Sequence, residues 1–499
     1  MDRRFANAPQ RDTLSWAWLG LALPLLFFST GRTMVPIAAW LAPVFMLRFV
    51  RTRRLAGGLL VAFAATVVVF LPAWTGMIPV PSTLSAAIVS VFAALYVLPF
   101  AIDRLIAPRL PGLLATLVLP VAWASTEWIN SVFNPYGSWG AVAYTQFDNL
   151  PLLQLLSITG LWGVAFLIGW FAAIVNWAWE RQFEWKRVQG GVLLYAAVAA
   201  LVLLFGGLRL AAFPPRAPTV RIAALTVRPS AAAQKSSSLL EPGAAHADLK
   251  PVLLATRALH DTLLARTQRE ARAGARIVVW SEANGLVVKQ DEAGFILRGR
   301  ELARREKIWL LMALATATPG KPLYENQLIA LRPDGSVAFR YHKARPVPGD
   351  RETGADKRIP TPVESRYGRL AGAICFDMDF PPLIRTVGRE GADILFVPSS
   401  DWAAIDPTHT RMALLRGIEN GCAVVRQTNQ GLSAAADAQG RVLASSDFFS
   451  TADHVMVAQI PTRGVHTLYS RIGDLFAWIC CGALIALAVL AGLSPNSRG

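Results

Sequence analysis

Eight apolar runs limit what this chain can fold into. Seven lie before residue 214, near 14–30, 34–50, 57–79, 83–103, 110–130, 152–178 and 190–213; the eighth, LFAWICCGALIALAVLAGL, fills 475–493. About 20 apolar residues cross the hydrocarbon core of a bilayer. The first two runs are short and read equally as a tilted pair or a re-entrant hairpin. Residues 214–472 have the mixed composition of a globular domain. The chain is 54% hydrophobic and only 16% charged, where a soluble domain carries about a quarter charged residues. The deficit sits in the apolar runs. The expected organisation is a membrane domain of about seven helices over 1–213, a globular domain over 214–472, and a closing transmembrane helix with a short tail over 473–499.

Basic residues in the short loops set an orientation. Arg3, Arg4 and Arg11 precede the first run; Arg48, Arg51, Arg53 and Arg54 follow the second; Arg104 and Arg109 follow the fourth; Arg181, Lys186 and Arg187 follow the sixth. The opposite loops, GMIPVPS and NSVFNPYGSWGAVAYTQFDNLP, carry no Lys or Arg, and only Arg32 breaks the pattern. Basic loops stay cytoplasmic. Both termini are therefore expected in the cytoplasm and the globular domain outside. The first run does not read as a removable signal peptide, since no small-residue cleavage site follows it and further spans do.

The net charge of +16 raises nucleic acid as a partner, but its distribution argues against that. Residues 216–474 hold 34 basic and 26 acidic residues, a balance of +8, and the remaining +8 lies in the membrane part. No basic stripe interleaved with stacking aromatics stands out, so no nucleic-acid partner is expected. A mildly basic domain suits an anionic lipid surface. Twelve of the sixteen tryptophans precede residue 190, as interfacial anchors do. The four cysteines lack CxxC spacing and the six histidines form no HExxH, so no metal site is expected. A Cys375–Cys422 disulfide is conceivable in an oxidising exterior.

Within 214–472, apolar strands and amphipathic helices alternate, which argues for layered α/β structure with helix-covered sheets. VRIAAL is a first strand, 231–247 a flexible loop, and roughly 249–273 a helix closed by Gly274. NQLIALRPDGSVAFRYHK is a hairpin turning at Pro-Asp-Gly. Three chemically capable residues share one kind of address. Glu282 ends IVVWSE, Lys343 ends VAFRYHK and Cys375 ends LAGAIC. Catalytic groups gather at strand ends in such folds. Singly, each has an ordinary reading: a buried cysteine, a helix-terminal acid, a surface lysine. Together they make coherent thioester chemistry. A thiol supplies the nucleophile, a carboxylate takes and returns its proton, and an ammonium hydrogen-bonds the oxyanion.

VVWSE, YHK and AICFD resemble the Glu–Lys–Cys motifs of the nitrilase (carbon–nitrogen hydrolase) superfamily. GADILFVPSSDW, RMALLRGIENG and VVRQTNQG resemble its order after the nucleophile. The stretch VAWASTEWINSVFNPYGSWGAVAYTQFDNLPLLQLLSITGLWGVAFLIGWFAAIVN is similar to part of the apolipoprotein N-acyltransferase family, which has the same layout of seven spans, an external domain and a closing span. The resemblance implies a multi-span α-helical membrane domain plus an α/β nitrilase-like domain, an αββα sandwich, in a bacterial-type inner membrane with the catalytic domain facing the periplasm. It implies acyl transfer from phospholipid through a Cys375 thioester to the N-terminal amine of a lipoprotein, with Glu282 as base and acid, Lys343 at the oxyanion, and no cofactor.

The sequence departs from that family in places. Phe376 and Asp377 stand where an aromatic and a glutamate are usual. Arg345 replaces a histidine, and the second acid after Lys343 falls on Asp350 or Glu352. Trp402, after ILFVPSS, is a candidate pocket wall, and Trp139 and Tyr144 in an outer loop are candidates for an acyl-chain entrance. The altered surroundings keep a second reading open, a membrane-tethered amidase or an acyltransferase with another amine acceptor. A silent scaffold is disfavoured by the intact trio. A transporter is disfavoured because membrane charges such as Glu127 fall at span ends.

Overall fold

The computed structural model describes residues 12–234, 250–353 and 356–493. Arg3, Arg4, Arg11 and most of the expected loop 231–247 lie outside the described residues. The chain divides into two compact units, one running to Phe213 and resuming at Ile472, the other Pro214–Arg471.

The first unit is helical. Among the described residues six helices are long and apolar enough to cross a membrane: Leu55–Ala73, Ser82–Arg109, Gly112–Phe133, Trp162–Trp179, Trp185–Ala212 and Leu475–Leu493. The first two expected spans form helices of 13 and 17 residues, Ser15–Phe27 and Pro36–Thr52. The expected run 152–178 is not one helix. It begins as two single turns, Leu150–Leu153 and Leu156–Thr159, and helical backbone is then interrupted at Gly160, with φ 63° and ψ −160°, before Trp162–Trp179 starts. Hydropathy does not register this break, because a glycine with a left-handed backbone is locally as apolar as its neighbours. The guanidinium of Arg51 donates to both oxygens of Asp103, each at 2.9 Å, and to Glu180 at 3.0 Å. The ends of three helices are thereby joined at one end of the bundle.

Among the described residues the second unit has fourteen strands: β1 Thr219–Leu225, β2 Ile277–Trp280, β3 Gly285–Val288, β4 Trp309–Ala317, β5 Tyr324–Leu331, β6 Val337–His342, β7 Glu352–Thr353, β8 Val363–Ser365, β9 Gly368–Gly372, β10 Ile394–Ser400, β11 Ala423–Asn429, β12 Leu432–Ala436, β13 Val442–Asp447 and β14 Val455–Pro461. One sheet has the order β14-β1-β2-β4-β5-β6, with β3 beside β4 and β7 beside β5; the other has the order β13-β12-β11-β10-β9-β8. Every residue of β2 is buried, as expected for a strand covered on both faces. Val278, Trp280, Leu310, Met312 and Leu314 meet Leu259, Leu263 and Phe295, so the helices Lys250–Arg272 and Glu292–Glu306 cover one face of the first sheet. The second sheet lies against the other face. A Cβ on Gly372 of β9 would fall 2.5 Å from the Leu328 side chain of β5 and 3.2 Å from Phe339 of β6. Pro381–Arg389 and Thr408–Asn420 are the helices that accompany the second sheet. The domain is an αββα sandwich.

Strand direction decides where the strand ends meet. β1 and β4 each pair parallel with β2. β5 is antiparallel to β4, and β6 antiparallel to β5. β6 therefore runs with β2, and their carboxyl ends lie at the same edge. β9, β10 and β11 are likewise parallel neighbours.

Candidate active site

Glu282 follows β2 by two residues, and Lys343 directly follows β6. Both side chains are buried, Lys343 to 1% exposure. Lys343 Nζ donates to Glu282 Oε1 at 2.9 Å and to Glu352 Oε1 at 2.7 Å. Asn326 of β5 closes the ring, its Nδ2 donating to Glu282 at 2.7 Å and to Glu352 at 2.6 Å. Burial opposes a charged lysine, but the carboxylates of Glu282 and Glu352 outweigh it and hold the ammonium well above its usual pKa. Lys343 is thus a permanent donor and no proton acceptor.

Of the two acids expected after Lys343, Glu352 reaches it and Asp350 does not. Pairing of Tyr324 with Glu352 across β5 and β7 turns that side chain inward, and Val347 N–H adds a 2.9 Å bond to Glu352. Asp350 is exposed in the turn before it, near the Tyr324 hydroxyl at 3.5 Å.

Cys375 does not end a strand, as its sequence suggested. β9 stops at Gly372, and Cys375 opens a short 3₁₀ turn, Cys375–Asp379. Its φ is +45°, a left-handed value that costs on the order of 1–3 kcal/mol in a residue with a side chain. The thiol donates to the Ser400 carbonyl at the end of β10, 3.7 Å away. Burial and then the Glu282 charge push the thiol pKa well up, against the opposing influence of Lys343. The resting sulfur is therefore protonated and needs a base to become a nucleophile.

Asp377 is buried and anchors this turn. Its Oδ2 accepts from Tyr341 O–H at 2.7 Å and from Ile374 N–H at 2.9 Å, and Oδ1 accepts from Arg345 N–H at 2.9 Å. It thus ties the Cys375 turn to residues on both sides of Lys343. Burial pushes its carboxyl up to about 7 against the pull of those donors. Trp402 is half-buried, directly beyond Asp401. Trp139 and Tyr144 belong to the helical unit. Trp139 packs edge-on against Trp74, and Tyr144 is buried with its hydroxyl 2.6 Å from Ser138 Oγ.

A second cluster had no counterpart in the sequence reading. The ring nitrogens of His409 lie 2.8 Å from Asp401 Oδ1 and 3.1 Å from Asp379 Oδ1. Arg426 of β11 grips both oxygens of Asp401 at 2.9 Å. Burial works against charge on His409, but Asp379 and Asp401 outweigh it and raise its pKa to about 9. Ligand-type atoms of Cys375, Asp401 and His409 all lie within 4.8 Å of one another. Two cationic side chains, His409 and Arg426, already neutralise the acids there, so this donor set does not suit a metal ion. The available sequence signal was the pair His409 and Arg416 in THTRMALLRG, seven residues apart and thus on one face of a helix. The pair reads equally as ordinary amphipathic patterning.

The sequence matches two family descriptions: Apolipoprotein N-acyltransferase N-terminal domain over residues 19–174, and Carbon-nitrogen hydrolase over residues 243–468. Among curated relatives, an apolipoprotein N-acyltransferase of Geobacter metallireducens is 25% identical, across 98% of this chain and 96% of the relative. Apolipoprotein N-acyltransferase 2 of Treponema pallidum is 27% identical, across 83% and 82%. Among solved structures, an amidase from Nesterenkonia sp. is 19% identical at a TM-score of 0.39, covering 53% of this chain and 97% of that one.

Proposed function

We propose, starting from the chain's membership of the apolipoprotein N-acyltransferase family within the carbon–nitrogen hydrolase superfamily, that it is a membrane N-acyltransferase working through Cys375. Its substrates are a phospholipid acyl donor and the N-terminal amine of a lipoprotein. The observation that carries this reading is the buried ring of Glu282, Lys343, Glu352 and Asn326, whose charges act on a protonated Cys375.

The chemistry follows from those protonation states. Glu282 takes the S–H proton as Cys375 Sγ attacks the ester carbonyl carbon. Lys343 donates a hydrogen bond to the oxyanion of the tetrahedral intermediate, where developing charge makes the bond most valuable. Collapse breaks the C–O bond. The lysolipid oxygen leaves with the proton held by Glu282, and the acyl chain stays as a thioester. The amine nitrogen then attacks the thioester carbonyl and gives its proton to Glu282. The second tetrahedral intermediate expels Cys375 sulfur, which recovers that proton. The sum is ester plus amine giving amide plus alcohol, with the enzyme unchanged. Glu352 and Asn326 hold the Glu282–Lys343 pair and do not touch the acyl group.

The six apolar helices support a multi-pass membrane location. The arginine pattern supports an inner-membrane orientation with the αββα domain in the periplasm and both termini in the cytoplasm. The test is turnover. Purified protein given phospholipid vesicles and a diacylglyceryl peptide with a free N-terminal amine should produce the N-acylated peptide and lysophospholipid in equal amounts. Hydrolysis of simple amides without peptide acylation would instead favour the amidase reading.

A further inference from the structure

The backbone of Cys375 is held in its left-handed conformation by three attachments on the turn Cys375–Asp379. Asp377 is bonded to Tyr341, Ile374 and Arg345. The Met378 carbonyl accepts from Arg416 Nε at 3.1 Å. Asp379 Oδ1 lies 3.1 Å from His409 Nε2. Arg416 and His409 project two turns apart from the same face of Thr408–Asn420, so one helix grips the nucleophile's turn at two points.

His409 differs from the other attachments because it continues beyond the turn. Its Nδ1 lies 2.8 Å from Asp401, the residue after Ser400, and the Ser400 carbonyl accepts the Cys375 thiol. Arg426 then locks Asp401 from β11. Asp379, His409, Asp401 and Arg426 are all at most 4% exposed. Two acids face two cations, so the cluster is internally balanced. None of its members is needed for a step of the acyl transfer.

We propose that His409 is a positioning residue for Cys375. By bridging Asp379 and Asp401 it fixes the distance between the nucleophile's turn and the end of β10, and so keeps the thiol within reach of Glu282. The rate consequence rests on the acyl-transfer reading; the effect on thiol geometry does not. Residues that support a reacting group at a distance act through its placement, and a displacement of about 1 Å can cost roughly a hundredfold in rate.

The full chain in detergent is compared with His409→Gln and with Asp379→Asn, which keeps the shape and most hydrogen bonding at the other end of the bridge. Rates are taken per folded molecule, at a temperature set equally far below each protein's thermal midpoint. The first readout is the rate of Cys375 alkylation by iodoacetamide, followed by peptide mass spectrometry. The second is the rate of acyl transfer to Cys375 as phospholipid concentration is varied. Both variants should alkylate at least about fivefold more slowly, because the thiol is protonated at rest and, out of reach of Glu282, has no base to take its proton as it attacks. Their maximal acylation rates should fall about 10–100-fold with the half-saturating phospholipid concentration nearly unchanged. Wild-type alkylation rates in both folded variants, or faster ones, would overturn the proposal. If the wild type forms no acyl adduct, the acyl-transfer reading fails, and the alkylation comparison alone still decides the role of His409.

Discussion

Lys343 and Glu282 are 61 residues apart in sequence and 2.9 Å apart in space, Nζ to Oε1, with both side chains buried. Glu352 shares the ammonium at 2.7 Å. One cation between two buried carboxylates is an arrangement in which no member can be deleted cheaply. Lys343→Met leaves two buried acids facing one another without their counter-ion. Loss of one partner from a buried ion pair costs about 3–5 kcal/mol, so the thermal midpoint should drop by many degrees. Per folded molecule, acylation of Cys375 should fall about 10²–10³-fold through loss of the oxyanion donor. A variant of unchanged midpoint would contradict the arrangement described.

Asn326 bridges the same carboxylates with a neutral amide. Asn326→Leu keeps the approximate volume and removes both hydrogen bonds. A buried acceptor left unsatisfied costs about 1–3 kcal/mol. The variant should unfold at lower denaturant concentration by that amount, measured by tryptophan fluorescence in detergent, and should lose activity because Glu282 is no longer held.

Stability should depend on pH through His409. Its pKa is raised from 6.5 to about 9 in the fold. A raised value means the folded state binds the proton more tightly than the unfolded state. The resulting stabilisation is complete below pH 6.5 and is lost as pH rises through about 9. The shift corresponds to about 3 kcal/mol. The thermal midpoint of the wild type should therefore fall between pH 6.5 and 9, and His409→Gln should show a flatter profile over that window. Asp401, held well below its usual range by Arg426 and His409 against the effect of burial, acts oppositely. Its contribution is present above pH 3.8 and declines only in stronger acid. Equal slopes for wild type and variant between pH 6.5 and 9 would count against the charged imidazole.

In the helical unit, Gly206 lies against the single turn Leu150–Leu153. A Cβ there would fall 1.8 Å from the Pro151 carbonyl oxygen, a backbone atom that cannot step aside. Gly206→Ala should destabilise this unit by about 1–3 kcal/mol or more through overpacking, read as a lower thermal midpoint in detergent. Gly207→Ala meets nothing within 4 Å and should leave the midpoint near that of the wild type.

Much of the αββα layering was visible in the sequence because buried strands are short apolar runs and covering helices carry an apolar stripe. Glu282, Lys343 and Cys375 stood out for a related reason: a polar group that interrupts an apolar run at a strand end is locally conspicuous. The partners of these residues were hidden because their placement depends on pairing between distant segments. Nothing local separates Asp350 from Glu352; the short β5–β7 pairing turns one inward and leaves the other in solvent. Asp401 and Arg426 meet only because β10 and β11 are parallel neighbours. The +45° φ of Cys375 could not be read from AICFD, since its anchors come from Tyr341, His409 and Arg416. The interruption at Gly160 was missed because an apolar run reports burial in lipid and says little about helix continuity.

The most direct measurement is the mass of the Cys375 peptide after the purified protein has met phospholipid vesicles bearing a labelled acyl chain, with no amine acceptor present. One labelled acyl group is expected on Cys375, released by hydroxylamine as a thioester, discharged by an added lipoprotein-type peptide amine, and absent in Cys375→Ala and Glu282→Gln. Transfer of the label to the peptide with Cys375→Ala at the wild-type rate would contradict the thioester route.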